Sequence, residues 1–245
     1  MTDGRTVLIL GSAPDAVTAS RWNKTDALSI VAINNAWRIR PDWDYLVHAG
    51  DFPEDRLPAE TGSLQQIHTY TSYVPAQNRY GGFVYAGGTM AFTAGYWALD
   101  VLKPRVLAWF GCDMVYDGAP THFYGNGSAD PLRKDVTLRS LEAKSARLMA
   151  FAATRNCACV NLSRNARSRL IFPKVTMECL KGEVSLPRID PGRFSEAVAM
   201  EQDHGYFVED GEYWHHLDTF DPCVLAQIDE LWLETCGISE ARAAS

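Results

Sequence analysis

Continuous apolar runs, separated by helical or polar segments, constrain the fold of this 245-residue chain more than any other feature. Such runs, each ended by small or polar residues, are typical of strands that are buried on both faces of a parallel sheet. They occupy residues 7–10, 29–33, 45–48, 106–110 and 157–162. Because parallel strands need crossover connections, the order predicts an α/β fold with a Rossmann-like, mostly parallel sheet and helices on both faces.

The helical and loop patterns predict a main domain and an extension. Helices are predicted from about residue 89 to 102 and from 137 to 155. Residues 1–175 should form a Rossmann-like nucleotide-binding and catalytic domain, in which the polar, Gly- and Pro-containing residues 111–135 form a lid. Residues 176–245 should form a mostly irregular C-terminal extension that packs on this domain, with one helix from about 222 to 236.

Composition argues against several classes of protein. The formal net charge of −7 argues against a nucleic-acid backbone binder, which needs a basic face. The six cysteines are scattered without zinc-ligand spacing, so we expect free thiols, a reducing compartment and no bound metal. A signal-peptide core and an apolar run of the ~18 residues that span a bilayer are both missing, so a cytoplasmic protein is expected. Homo-oligomerisation stays open.

Two glycine-containing turns lie where a strand gives way to a helix. Glycine allows close backbone approach to a ligand, and the amides at a helix N-terminus can face an anion. An ordinary tight turn explains either one equally well, and the G-x-G-x-x-G fingerprint is absent. We predict that a nucleotide or sugar phosphate lies across both turns, which consist of Gly11, Ser12, Ala13 and Pro14 and of Gly87, Gly88 and the helix-capping Thr89.

Polar side chains follow three further predicted strands, where ligands of open α/β sheets bind. Asn34 and Asn35 can bond a ribose hydroxyl or a base edge, although asparagine also suits a turn. Asp51 can meet a hydroxyl or a divalent ion, or cap the next segment. Asp113 follows the run 106–110, and all four side chains are predicted to contact the nucleotide. Arg164, Arg167 and Arg169 contact a phosphate or form a solvated helix face.

The predicted lid contains His122 between Tyr116 and Tyr124. A histidine in a polar loop can transfer protons at neutral pH, and the alternative is an ordinary surface position. Adjacent Asp113 and Asp117 would raise its pKa, whereas burial under a lid would lower it. The direction of the pKa shift is therefore left open, and His122 is the candidate general base.

The order of these residues, from about 6 to 172, resembles that of the bacterial sialyltransferases of glycosyltransferase family 42. The shared features are a Gly-x-x-Pro turn, a strand ending in Asn, a Gly/Ser/Thr turn before a helix, Gly-x-Asp, and a lid with Tyr and His. In that family these places hold a cytidine monophosphate sugar, which implies that Tyr116 and Tyr124 contact the leaving phosphate. Asn126 stands where the family's Ser-His-x-x-Gly-His pattern has its base, and Ser12 where the family has Asn.

Residues 113–122 are also similar to a pattern in enzymes related to 6-hydroxymethylpterin diphosphokinase, Asp-x-x-Tyr-x-x-Gly-x-Thr-His. That group transfers diphosphate from a nucleotide with magnesium. The resemblance implies that Asp51, Asp113 and Asp117 supply the carboxylates, since magnesium takes one or two of them together with phosphate oxygens.

Three functions are therefore predicted as alternatives. The first is a metal-independent, sialyltransferase-like glycosyltransferase that moves a sugar from a nucleotide-activated donor to a hydroxyl of a sugar or glycan acceptor. It would need no cofactor, with His122 as the base and Tyr116 and Tyr124 stabilising the leaving phosphate. The second is a magnesium-dependent pterin or sugar diphosphotransferase. The third is a nucleotide-binding protein without catalysis, which Asn126 at the family's base position keeps open.

Overall fold

The computed structural model describes residues 5–116, 120–126 and 135–238. At its centre lies a six-stranded sheet in the order β4-β3-β2-β1-β5-β6, in which every neighbouring pair is parallel. The strands are β1 (Thr6–Leu10), β2 (Leu28–Ile33), β3 (Tyr45–Val47), β4 (Gln66–His68), β5 (Val106–Phe110) and β6 (Ala158–Asn161). The α/β, Rossmann-like fold class predicted from the apolar runs is confirmed.

The edge strand β4 is the one strand of the described sheet that the apolar runs did not predict. It has three residues, of which Gln66 and Ile67 are exposed, so no buried run marks it in the sequence. It forms because parallel pairing places Val47 opposite His68 on the open edge of β3. Short, exposed edge strands of this kind are usual at the border of a sheet.

The side chains of each central strand alternate between two hydrophobic cores. In β1, Val7 and Ile9 face one core, and Leu8 and Leu10 face the other; all four are fully buried. The first core is covered by helices α1 (Tyr70–Asn78), α3 (Met90–Val101) and α4 (Leu141–Thr154), with the short α2 (Phe83–Ala86) between α1 and α3. Both faces of the sheet are therefore buried from solvent, as is usual for an all-parallel sheet.

The opposite face is covered by 3₁₀ helices, so helices lie on both faces of the sheet, as predicted. The connection from β1 to β2 is the 3₁₀ helix Pro14–Arg21, and Asn34–Ile39 forms another after β2. Small buried residues, Ala16, Ala19 and Ala36, allow these tight turns to lie directly on the sheet. The crossover after the first strand is therefore short, and its beginning stays close to the carboxyl end of β1.

Helix starts in the main domain follow side-chain caps. Thr89 accepts a hydrogen bond from the amide of Phe92 and opens α3, as predicted. The helix predicted over residues 137–155 is interrupted: a 3₁₀ turn, Val136–Leu138, comes first, and Ser140 then caps α4 by accepting from the amide of Ala143.

The prediction of a mostly irregular C-terminal extension with a single helix is wrong. Two helices of 14 residues are present, α5 (Pro191–His204) and α6 (Pro222–Thr235), and α6 agrees with the helix predicted from about 222. In α5 only Ala197 and Glu201 are buried, so its apolar pattern is too weak to be recognised. Both helices pack with α4 around the buried Trp232. Among the described residues, no helix has the length and apolar character needed to cross a bilayer.

Buried ion pairs attach the C-terminal helices to α4. The fully buried Arg147 donates from Nε and Nη2 to the carboxylate of Glu201, both at 2.7 Å, and from Nη1 to the hydroxyl of Tyr96 at 2.8 Å. The indole of Trp232 donates to the same carboxylate at 2.8 Å. A buried charge is tolerated when it is paired and fully hydrogen-bonded, so this network has a structural role.

Candidate functional site

The carboxyl ends of β1 and β5 meet at the point where the order of the sheet reverses. From β1 the chain builds β2, β3 and β4 on one side, and then crosses back to place β5 on the other side of β1. In open α/β sheets ligands bind in the crevice at such a switch point. A cavity of about 350 Å³ lies there, lined by residues from four segments: 12–15, 111–116, 120–121 and 165–167.

Two glycines let the turns after β1 and β5 touch. The amide of Gly11 donates to the carbonyl of Phe110 at 2.8 Å, and the amide of Ala13 donates to that of Gly111 at 3.0 Å. A Cβ added to Gly11 would lie 2.5 Å from Cys112 Sγ and closer still to the carbonyl oxygen of Gly111. Gly111 itself has a φ of +71°, which favours glycine. This contact forms one wall of the cavity.

Asp113 is buried and accepts several hydrogen bonds from the end of β6 and the segment that follows it. Its Oδ1 accepts from Asn161 Nδ2 at 3.1 Å, and its Oδ2 accepts from Asn165 Nδ2 at 2.9 Å and from the hydroxyl of Ser163. Its carbonyl also accepts from the amide of Arg169. Asp113, which was predicted to bind the ligand, lines the cavity. Its hydrogen bonds also hold in place the segment after β6, which forms the opposite wall.

Asp15 is a site residue that the sequence analysis missed. It lies in the first turn of the 3₁₀ helix Pro14–Arg21 and lines the cavity beside Asp113. Its Oδ2 is 3.5 Å from Asn165 Nδ2, whereas its Oδ1 is buried and has no hydrogen-bond partner among the residues that the structure describes. Burial and, secondarily, the negative charge of Asp113 raise the pKa of Asp15. The available signal was a carboxylate directly after the first glycine turn.

His122 lies in a small turn that is attached to the first glycine turn. The amide of Phe123 donates to the carbonyl of Ser12 at 3.0 Å, and His122 and Gly125 exchange two backbone hydrogen bonds of 3.0 Å. The imidazole is buried, stacked on Tyr124 with ring centres 5.0 Å apart, and 5.8 Å from the ring of Tyr116. The predicted catalytic residues are therefore close together; Tyr116 lines the cavity, whereas His122 and Tyr124 are not among the described residues that line it.

Burial lowers the pKa of His122, which resolves the direction that the sequence left open. The imidazole is consequently neutral at pH 7 and can accept a proton. Its Nδ1 is 2.9 Å from the hydroxyl of Thr121, which lines the cavity. If that hydroxyl holds Nδ1, Nε2 is the nitrogen for proton transfer.

The asparagines after β2 have different environments. Asn34 adopts a φ of +48°, and its Oδ1 accepts from the amide of Ala49 at 3.0 Å, so it connects the ends of β2 and β3. Asn35 is buried, and its Oδ1 has no partner within the described part of the chain. Neither is among the described residues that line the cavity.

The predicted carboxylate set does not come together. Asp51 is exposed near Tyr73, whose pKa is raised by burial and then by the charge of Asp51. Asp51 follows β3, and β2 and β1 separate that strand from β5, so strand spacing alone puts Asp51 roughly 14 Å from Asp113. Asp117 lies outside the described residues. Within the described ranges, no group of three metal-ligating side chains occurs.

The turn formed by Gly87, Gly88 and Thr89 lies at the same edge of the sheet but has internal contacts. The indole of Trp109, in β5, donates to the carbonyl of Ala91, which fixes the start of α3 next to the end of that strand. The amide of Gly88 donates to Thr137 Oγ1 at 3.1 Å. None of the three turn residues is among the described residues that line the cavity.

The predicted lid is described only in part, since residues 117–119 and 127–134 lie outside the described ranges. Asn126, at the family's base position, is exposed at the end of the His122 turn.

No protein-family model, curated protein or solved structure matches the chain. The resemblance stated from the sequence motifs therefore stays a prediction.

Proposed function

We propose that the switch-point cavity binds a nucleotide-activated sugar and that the protein is a glycosyltransferase. The observation that carries this proposal is the hydrogen bond from Phe123 to Ser12, which holds a buried, neutral imidazole next to a cavity at the switch point. Arg167 adds a cationic side chain to the lining, and Tyr116 adds a phenol. A cation and hydroxyl donors in the lining, with a base behind Thr121, suit the displacement of a nucleoside phosphate.

In the proposed reaction, His122 Nε2 removes the proton from an acceptor hydroxyl. The oxygen attacks the anomeric carbon, the bond from that carbon to the phosphate oxygen breaks, and the nucleoside phosphate leaves with the electron pair. Hydroxyl donors at Tyr116 and Tyr124 stabilise the charge that develops on the leaving phosphate. The imidazolium then returns its proton to solvent. No step of this mechanism requires a metal ion.

Ligand-induced stabilisation of the folded protein tests the binding part of the proposal. CMP, UDP, GDP and ATP are added separately, each with and without magnesium, and the unfolding temperature is measured. A ligand at 100 times its Kd stabilises the native state by about 2.7 kcal/mol, which corresponds to roughly 5–11 °C for a chain of this size. We expect at least one nucleotide to stabilise without magnesium. No stabilisation by any of the four would contradict the proposal.

The activated sugar of the nucleotide that binds is then used to test the base. His122→Ala is expected to lose about 10²–10⁴ in turnover and to keep its nucleotide affinity. His48→Ala is the matched control, because His48 is also buried at the carboxyl edge of the sheet but follows β3, which β2 separates from β1 and the cavity. Near wild-type turnover of His122→Ala would exclude the role.

A magnesium-dependent diphosphotransferase is the second candidate, and the position of Asp15 favours it. Asp15, rather than the predicted Asp51, lies beside Asp113, and magnesium usually takes one or two carboxylates with phosphate oxygens. Stabilisation by a nucleotide only in the presence of magnesium would support this candidate over the first. Binding without any turnover would instead support the non-catalytic alternative.

A further inference from the structure

We propose that Asp15 is a hydroxyl-binding residue of the switch-point cavity, with its carboxylate accepting a hydrogen bond from a sugar hydroxyl of the bound ligand. The inference rests on the proposed function only for the expectation that the ligand contains a sugar. The hydroxyl belongs either to the ribose of the nucleotide or to a hexose, and the experiment below distinguishes these sources.

The two carboxylates among the described residues that line the cavity differ in their hydrogen bonding. Asp113 accepts from Asn161, Ser163 and Asn165, so both of its oxygens are occupied. Asp15 accepts a long hydrogen bond of 3.5 Å from Asn165 at Oδ2, and its buried Oδ1 lacks a partner among the described residues. A carboxylate with an unsatisfied oxygen gains hydrogen-bond energy when a ligand in the cavity donates to it.

The backbone holds Asp15 in place before any ligand arrives. The amide of Ala13 is bonded to the carbonyl of Gly111, and the amide of Ala16 is bonded to the carbonyl of Ala13. Pro14 fixes the first position of the 3₁₀ helix, and the hydroxyl of Thr18 donates to the carbonyl of Asp15. A preorganised acceptor of this kind costs little further entropy on binding.

The negative charge of the two carboxylates disfavours a phosphate beside Asp15 and favours a neutral donor. Asp113 and Asp15 line the same part of the cavity, and the raised pKa of Asp15 reflects an environment that already disfavours negative charge. A phosphate group placed against these carboxylates would be repelled. The phosphate is therefore expected away from these two carboxylates, and a hydroxyl-bearing ring is expected beside Asp15.

Binding measurements with and without the Asp15 carboxylate test the inference. The four ribonucleotides, their 2′-deoxy counterparts and methyl β-galactoside are titrated by calorimetry into the wild type, Asp15→Ala and Asp15→Asn. Asp26→Asn removes one exposed negative charge elsewhere and controls for net charge. Loss of a hydrogen bond to a charged group predicts about 10- to 100-fold weaker binding to Asp15→Ala. Asp15→Asn keeps an oxygen acceptor, so its affinity should lie between those of the wild type and Asp15→Ala.

The pattern across the probes identifies the source of the hydroxyl. If the 2′-hydroxyl of ribose is bound, the wild type prefers the ribonucleotide and Asp15→Ala loses most of that preference. If a hexose is bound, the glycoside loses affinity in Asp15→Ala while the nucleotides do not. Affinities of Asp15→Ala that equal the wild type for every probe would overturn the inference, as would a wild type that binds none of them. Asp15-dependent binding of the glycoside without binding of any nucleotide would contradict the proposed function alone.

Discussion

Replacing Gly11 by alanine is expected to separate the two turns that form one wall of the cavity. The added Cβ would lie 2.5 Å from Cys112 Sγ and closer still to the carbonyl oxygen of Gly111. Real Cβ atoms essentially never approach other heavy atoms to less than 3.0 Å. Because that oxygen belongs to the main chain, a change of side-chain rotamer cannot relieve the contact.

The size of the effect follows from the two contacts that must change. Overpacking of a buried site costs about 1–3 kcal/mol, and displacement of Gly111 also weakens the hydrogen bond from Ala13, a contribution of about 0.5–1.5 kcal/mol. We therefore expect a loss of about 2–4 kcal/mol in the free energy of unfolding, or roughly 4–16 °C in Tm for a chain of this size.

Thermal unfolding followed by calorimetry measures this loss, with Gly50→Ala as the matched control. Gly50 is exposed after β3, and the nearest atom to an added Cβ is Tyr70 Cδ1 at 3.9 Å. Alanine fits there and should leave the stability unchanged or raise it by about 0.4–1 kcal/mol. A Gly11→Ala protein that unfolds within 2 °C of the wild type, or equal losses in both variants, would refute the close contact of the turns.

Acidification from pH 7.5 to 5 is expected to lower the Tm. Burial lowers the pKa of His68 and His122 in the native state, so the unfolded state takes up protons on these side chains at a higher pH than the native state does, and protonation favours unfolding. This part of the pH dependence should shrink in His122→Asn; an unchanged profile would contradict it. Arg147→Met leaves the carboxylate of Glu201 buried and should cost about 3–5 kcal/mol in chemical denaturation. The double variant Arg147→Met/Glu201→Leu should recover part of this loss. If the double variant is instead less stable than Arg147→Met, the unpaired carboxylate of Glu201 is not the cause of the loss. Asp15→Asn should unfold at the same or a higher temperature than the wild type at pH 7, since the raised carboxyl pKa of Asp15 means that its ionisation opposes folding. The difference in Tm should decrease as the pH falls toward about 4, where the wild-type carboxyl group becomes protonated. A lower Tm of Asp15→Asn at pH 7 would contradict this expectation.

Local patterns made much of the fold predictable. Five of the six strands follow from apolar runs, because a strand buried on both faces of a parallel sheet needs apolar residues at every position. The start of α3 follows from Thr89, because the capping hydrogen bond is local. The strand β4 and the helix α5 were missed because exposed residues dominate them and tertiary contacts determine their conformation.

The composition of the site depended on contacts that no local pattern encodes. The sequence by itself determined that turn-forming and polar residues follow the strands, including Gly11, Asp51 and Asp113. Only the tertiary structure decided which of them meet, because the crossover to β5 places that strand beside β1 and leaves β3 two strands away. The same crossover brings Asp15 next to Asp113, and the turn bonded to Ser12 buries His122 and lowers its pKa. The distance between two residues that are far apart in sequence, and the burial of each, depend on strand order and packing. They are therefore defined only in the folded chain.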